Sequence, residues 1–339
     1  MWFSRLNRGK RSVVLELATG AGRERFLELA SVADVLVQNL RPGTLAKLGL
    51  DYETLSAVNP RLILVSISGF GQPDVQAGPY TKMPAFDLIG QAMSGIAYTS
   101  GREGDPPSPV GFPLIDTSVG DWAVTATLLA LYQRERTGLG QHLDVAMFDV
   151  GIHLNEYAVG AYGWHGVAPL RGRLPSSAPF ELVRASEGYV AIAVSGEAIF
   201  ARFAEVIGHP ELATDPRYAN GTLRASAMDD HLLPLIERWT GERSVSEIVA
   251  ALGAAGVPAS PVQGVADLFE DEHVAARDMI VRVPDEVLGE VRVAGNPVKG
   301  TRLPPLEPRS SPQLGADTDD VLAEWLGSTR NDPDERETT

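Results

Sequence analysis

Residues 12–38 read SVVLELATGAGRERFLELASVADVLVQ. The first six, 12–17, are rich in β-branched and apolar residues, which predicts a strand. In 20–30, Phe26, Leu27 and Leu29 fall at helical spacing. Residues 34–38, DVLVQ, predict a second short strand. A strand, helix, strand order of this length implies a parallel pair joined by a right-handed crossover. The first third of the chain is therefore expected to be α/β.

Outward from that stretch the same texture continues. Helices are expected over 44–48 and 52–58, and a strong strand over 62–66, LILVS. A helix over 86–93 is closed by Gly95. The loop 98–113 is broken by Pro106, Pro107, Pro109 and Pro113 and by Gly101, Gly104 and Gly111. It opens a helix carrying Trp122, Val124, Leu128, Leu129 and Leu131, which ends at TGLGQ, 137–141. A strand over 142–146 and a helix over 148–161 follow. Beyond Gly172 the texture changes. Residues 179–184 and 189–194 read as a hairpin across Ser186-Glu187-Gly188. Helices over 197–207, 228–240 and 244–255 complete a smaller α+β domain. Short strands and prolines begin at Val281, a helix is expected over 318–326, and the acidic tail from Asn331 is expected to be disordered.

The chain has 339 residues, enough for about two domains at ~150 residues each. Its 29 Lys and Arg against 44 Asp and Glu leave a net charge of −15, with no Lys/Arg-rich run, so nucleic acid is a poor expectation as partner. With no cysteine there are no disulfides, thiolate metal sites or cysteine nucleophiles. No signal-peptide core is visible and no apolar run approaches the ~18 residues of a membrane span. The expectation is a soluble cytoplasmic protein that is not membrane-bound.

Common chemistries fail one by one. After the first strand, Gly20-Ala21-Gly22-Arg23-Glu24-Arg25 supplies two glycines of G-x-G-x-x-G, but Arg25 stands where the third must be, so NAD is not expected. No P-loop and no G-x-S-x-G elbow occurs. The six histidines show no H-E-x-x-H spacing and no short-range cluster with Asp, so no metal is expected. A carboxylate remains: Asp116, in GFPLIDTSVGD, 111–121. Asp is a favoured helix cap, and a cap or surface turn is one reading. Ser118 and Asp121 form S-x-x-D, however, a capping-box-like pair. If Ser118 caps the helix, Asp116 projects just ahead of a positive helix end that keeps it ionised, as covalent catalysis by a carboxylate requires.

These residues resemble a family. Asn7-Arg8-Gly9-Lys10-Arg11-Ser12 with Val13 to Leu17 is similar to the N-x-x-K-R-S-x-x-L-D-L stretch of the family III CoA-transferases, the CaiB/BaiF group. Asn39-Leu40-Arg41-Pro42-Gly43 followed by Leu48-Gly49-Leu50 resembles their N-[FY]-R-P-G…LGL segment. Asn59 to Ile63, Ser68 to Gly71, Phe86-Asp87-Leu88, Gln91 to Gly95, Gly111 to Gly120 and Arg136 to Gln141 continue the match. Pro312-Gln313-Leu314-Gly315 and Thr318 to Leu322 resemble the family's closing block. The ordered blocks reach Gly327, and their specificity lies in the set.

The resemblance implies an α/β fold: a large Rossmann-like domain with a smaller α+β domain, two chains interlacing as a homodimer. On it the chain divides as 1–172, the first part of a CoA-binding domain; 173–283, the small domain; 284–330, a segment returning to the large domain; and 331–339, the tail. It places the family's catalytic aspartate on Asp116, as a nucleophile toward an acyl-CoA thioester. It places Leu15, Glu16 and Leu17 along the nucleotide, the Asn39-Leu40-Arg41 turn along the cofactor, Lys47 at the CoA phosphates, Leu48 among the cofactor-binding residues, and Asp87 in the cleft. The implied substrates are an acyl-CoA and a small carboxylic acid, without metal or NAD.

Family members begin with ~60–70 further residues, about two βα units, which this sequence lacks. Either the start was misassigned, or this is a shortened homologue, whose sheet loses a strand and whose cofactor site loses part of its wall. A truncated, non-catalytic CoA-binding homologue is therefore one alternative. The other is an α-methylacyl-CoA racemase, whose two-base chemistry places a histidine just before the position of Asp87. Phe86 stands there, and a phenyl ring moves no proton, so CoA transfer is preferred. Tyr157, Tyr162 and Trp164 are read as core packing before acyl-pocket lining.

Overall fold

The computed structural model describes residues 2–169, 171–174, 176–304 and 307–327; the tail 331–339 lies outside them. In chain order the elements used below are α1 (Gly20–Val32), β1 (Val35–Gln38), α2 (Thr44–Lys47), α3 (Tyr52–Val58), β2 (Ile63–Ser68), α4 (Asp87–Met93), α5 (Leu114–Thr137), β3 (His142–Ala146), α6 (Met147–Leu154) and α7 (Glu156–His165). There follow β4 (Phe180–Arg184), β5 (Tyr189–Ala193), α8 (Glu197–Val206), α9 (Leu233–Gly241), α10 (Val245–Ala254), β6 (Ala259–Pro261), β7 (Ile280–Asp285), β8 (Gly289–Ala294) and α11 (Thr318–Gly327).

The chain separates into two compact units. The first takes the described residues of Met1–Ser94, Gly111–His153 and Phe269–Thr339. Its sheet is parallel in the order β1-β2-β3, with Val35 opposite Ile63 and Leu64 opposite His142. β2 is central and buries Ile63, Leu64 and Val65 completely, the pattern of a strand covered on both faces. Leu64 joins Ala30, Leu55 and Leu62 in a core against which Phe26, Leu36 and Tyr52 pack. α5 packs against β2 and β3. Its buried stripe, Ile115, Val119, Ala123, Ala130 and Arg134, follows the helical repeat. The parallel sheet is the one expected, but the crossover expected of α1 is not made, because no strand precedes it among the described residues.

The expected strand at 12–17 does not form. The backbone there finds other partners: Ser12 N donates to Asp317 Oδ2 at 2.7 Å, Asp317 N to Ser12 O at 3.0 Å, and Val14 N to Thr318 Oγ1 at 3.1 Å. β propensity makes a segment ready to pair, but the ladder exists only where a neighbouring strand runs beside it. Val13, Leu15 and Leu17 instead line an apolar recess of about 430 Å³ with Phe26, Leu36 and Trp325.

The second unit is Gly95–Val110 with Leu154–Leu268. Its sheet is antiparallel in the order β4-β5-β6. The expected hairpin turn is present, with Gly188 at φ +73° and Ala185 N bonded to Gly188 O. α8, α9 and α10 close over the sheet around Val190, Ile192, Phe200, Phe203, Ile236 and Leu252. This unit includes 95–110, which the sequence division left in the large domain. Arg171, 7% exposed, supplies the tie. Its guanidinium donates to the carbonyls of Tyr98 (2.5 Å), Ser100 (2.6 Å), Asp105 and Pro106 (3.0 Å). Tyr157, Tyr162 and Trp164 are exposed, Trp164 at 89%, which corrects their reading as core: α7 buries none of its residues within the chain.

Candidate functional site

α4 and α5 lie against each other because Gly90 has no side chain: a Cβ there would stand 3.1 Å from Ile115 Cγ2. α6 closes on the same point through Gly151, where a Cβ would stand 2.6 Å from Ser94 Cβ and 3.3 Å from Ile115 Cδ1. Gly151→Ala is accordingly expected to cost about 1–3 kcal/mol by overpacking, read as a lower midpoint in thermal or urea unfolding.

This packing brings together two carboxylates 29 residues apart. Asp87 is the first residue of α4 and Asp116 the third of α5. Asp87 Oδ1 accepts the backbone N–H of Ile115 at 2.7 Å and of Asp116 at 3.1 Å. Its Oδ2 accepts Gln91 Nε2 at 2.5 Å, and the same amide nitrogen reaches Phe112 O at 3.4 Å. The first N–H groups of a helix lack partners within it, and Asp87 satisfies two of them from another element. Pro113, at the N-cap position of α5, makes no side-chain cap.

The expected cap at Ser118 is thus wrong: α5 begins four residues earlier, Ser118 lies inside it, and Asp116 sits in its first turn rather than ahead of it. The local S-x-x-D pair lost to a carboxylate from elsewhere in the chain. Asp116 itself is exposed. Partial desolvation, and after it the charge of Asp87, hold its carboxyl above the usual range. The sign opposes the helix end, which favours the ionised form. Phe86 is 81% exposed beside this pair.

The expected CoA contacts fall in other places. Asn39 follows β1 and donates from Nδ2 to Ile67 O at 3.0 Å, which fixes the turn. Leu40, Arg41 and Lys47 are exposed. Arg41 lines a recess of about 710 Å³ with Gln38, Thr44, Tyr52, Ser66 and His142. Leu15 and Leu17 line the other recess, with Trp325, while Glu16 turns its backbone to α1: its O lies 1.9 Å from where a Cβ on Gly22 would stand. The glycine at 22 therefore serves a close helix start capped by Thr19, whose side chain accepts Gly22 N. Leu48 ends α2. Neither of these two recesses has Asp87 or Asp116 in its lining.

Sequence reasoning passed over two features. Gln91, 1% exposed, is a polar residue four after Asp87 in an otherwise apolar helix, and that i, i+4 pair was the available signal. His142 bonds Ser66 Oγ through Nε2 at 2.8 Å and meets Asp74 Oδ2 through Nδ1 at 3.3 Å. Burial pushes its imidazole below the usual value, against the pull of Asp74 and Asp144. Among the described residues no group of three or more His, Cys, Asp or Glu is arranged to hold a metal ion.

Comparison with known proteins gives a consistent set. The family model "CoA-transferase family III" matches residues 1–318. The acetyl-CoA:oxalate CoA-transferase of Acetobacter aceti is 40% identical over 302 residues, 88% of this chain and 75% of that one. The succinyl-CoA–L-malate CoA-transferase beta subunit of Chloroflexus aurantiacus is 36% identical, over 96% of this chain and 80% of its own length. A crystal structure of a CAIB/BAIF family protein from Brucella suis superposes with a TM-score of 0.80 at 34% identity, covering 96% of this chain and 84% of that one. The Rv3272 protein of Mycobacterium tuberculosis gives 0.83 at 27% identity, over 95% and 85%.

Proposed function

Since this chain belongs to CoA-transferase family III, we propose that it moves CoA from an acyl-CoA to a small carboxylic acid through a covalent intermediate on Asp116. The observation that carries the reading is the anchored pair: Asp116 has its backbone fixed by Asp87 while its own carboxylate stays exposed. The relatives named for oxalate, malate and mesaconate as carboxylate partners support an acid acceptor.

An Asp116 oxygen attacks the thioester carbonyl carbon; the C–S bond breaks and CoA leaves as thiolate. The thiolate attacks the Asp116 acyl carbon of the resulting anhydride, freeing the donor acid and leaving an aspartyl thioester. The acceptor carboxylate attacks that thioester and releases the thiolate again. The thiolate takes the acceptor's acyl group as the new thioester and restores the Asp116 carboxylate. Splitting the transfer this way replaces direct attack of one acid on another's thioester by steps at one activated carbon.

Arg41 and Lys47 supply cations beside an anionic ligand on a chain of net charge −15. Replacing either with Ala is expected to weaken CoA binding about 5- to 150-fold, the ~1–3 kcal/mol of a hydrogen bond to a charged group. Calorimetry with CoA, acetyl-CoA and NAD checks this, and NAD binding without CoA binding would overturn the assignment. Cytoplasmic operation and homodimeric assembly are part of the same proposal. The assembly draws support from α5, which leaves Trp122, Val124, Leu128, Leu129 and Tyr132 exposed on the unburied side of the helix.

A further inference from the structure

We propose that Asp87 is the positioning residue of the transfer reaction, holding the Asp116 backbone in register through its carboxylate while Gln91 holds Asp87. The proposal rests on the reading of Asp116 as nucleophile. Three observations converge on it. Asp87 Oδ1 accepts two consecutive backbone N–H groups, and one of them belongs to Asp116 itself. The other oxygen of the same carboxylate is taken by a buried amide, whose nitrogen also reaches the Phe112 carbonyl two residues before α5 begins. The helices carrying these groups meet at Gly90 and Gly151, where no side chain separates them.

The arrangement differs from an ordinary cap in its origin. A local Ser or Asp at the N-cap turns with its own helix, so it cannot fix that helix relative to anything else. Asp87 comes from another helix, and it ties the first turn of α5 to α4. A nucleophile in that turn then has its Cα placed by tertiary structure, as a near-attack geometry demands. Asp87 also raises the carboxyl of Asp116 by its charge, a second reason to expect the two to be coupled. Beyond this pair, α5 carries Asp121 in its first half, α6 carries Asp149 and His153, and α4 carries no other ionisable group; of these charges only Asp87 acts on Asp116 appreciably.

Asp87→Ala removes the acceptor, and Asp87→Asn keeps an acceptor oxygen without the charge. For Asp87→Ala the expected result is a fall in kcat of ~10- to 100-fold, the scale of a displacement near 1 Å at a reacting group, with KM for acyl-CoA unchanged within about two-fold. Asp87→Asn should recover most of kcat, and the acid limb of its pH profile should move to lower pH, since the charge opposing ionisation of Asp116 is gone. Both are assayed well below their unfolding midpoints. A folded Asp87→Ala enzyme with normal kcat would overturn the proposal, as would an Asp87→Asn enzyme as impaired as Asp87→Ala. The underlying reading fails separately: Asp116→Asn with near-normal turnover removes the nucleophile, whereas a dead Asp116→Asn beside a normal Asp87→Ala removes only the positioning role.

Discussion

Asp116→Asn is expected to lower turnover by three or more orders of magnitude, about 4 kcal/mol or more of barrier at 1.36 kcal/mol per decade. The substitution keeps the shape of the side chain and leaves the backbone N–H of residue 116 bonded to Asp87. What it removes is the nucleophile, because a carboxamide is too weak to open a thioester. CoA affinity, measured by calorimetry, should change little, which is the pattern of an interaction made only along the reaction path. Incubating the parent enzyme with an acyl-CoA and then hydroxylamine should convert Asp116 to a hydroxamate, visible by peptide mass. An active enzyme unmodified at this position would overturn the mechanism. So would an Asp116→Ala variant that loses only the ~0.5–2 kcal/mol of a cap and keeps its chemistry.

Much of the scaffold was legible because its signals are local. Residues 52–58 announce their helix, with Asp51 capping through Thr54 N at 2.9 Å. The apolar run at 62–66 marks the central strand, and Ser186 to Gly188 mark the hairpin turn. What escaped was set by partners distant in sequence. The segment 12–17 carries strand composition, but whether it pairs depends on a neighbour that composition does not reveal. The cap of α5 comes from residue 87, and no window around Ser118 contains it. Asp116 was picked out from its own sequence context and Asp87 through family resemblance; their direct coupling was not, because it runs through a backbone N–H. The aromatic residues of α7 were expected inside on hydrophobicity alone, yet large apolar side chains are common on surfaces that meet other surfaces.

The second large effect concerns assembly. α5 is 24 residues long and apolar enough to cross a membrane by length and composition, a property that counting uninterrupted apolar runs missed. It carries Asp116 and Asp121 in its first half, and one stripe of it is buried against the sheet. The other stripe is apolar and uncovered within the chain, with Leu128 and Leu129 both above 60% exposed. If a second copy covers it, Leu128→Glu with Leu129→Glu should raise the dimer dissociation constant at least ~1,000-fold, since each ~1.4 kcal/mol is a decade and an unpaired charge buried at an interface costs several kcal/mol. Light scattering at micromolar concentration should then fall from about twice 36.3 kDa to that value. A parent protein already at the monomer mass would overturn the homodimer.

The hydrogen bonds that anchor residues 12–17 have a consequence for the time at which the protein can come into being. Ser12 N and Asp317 Oδ2 are separated by 305 positions along the chain. At ~5–20 residues per second a ribosome needs roughly 15–60 s between making one partner and the other. Through that interval the apolar side chains of Val13, Leu15 and Leu17 have no C-terminal helix beside them, while 154–268 can already have closed around its own core. Residues 12–17 are therefore secured only after the C-terminal helix has been made, and nascent chains stalled before residue 317 should present 12–17 to chaperones and proteases.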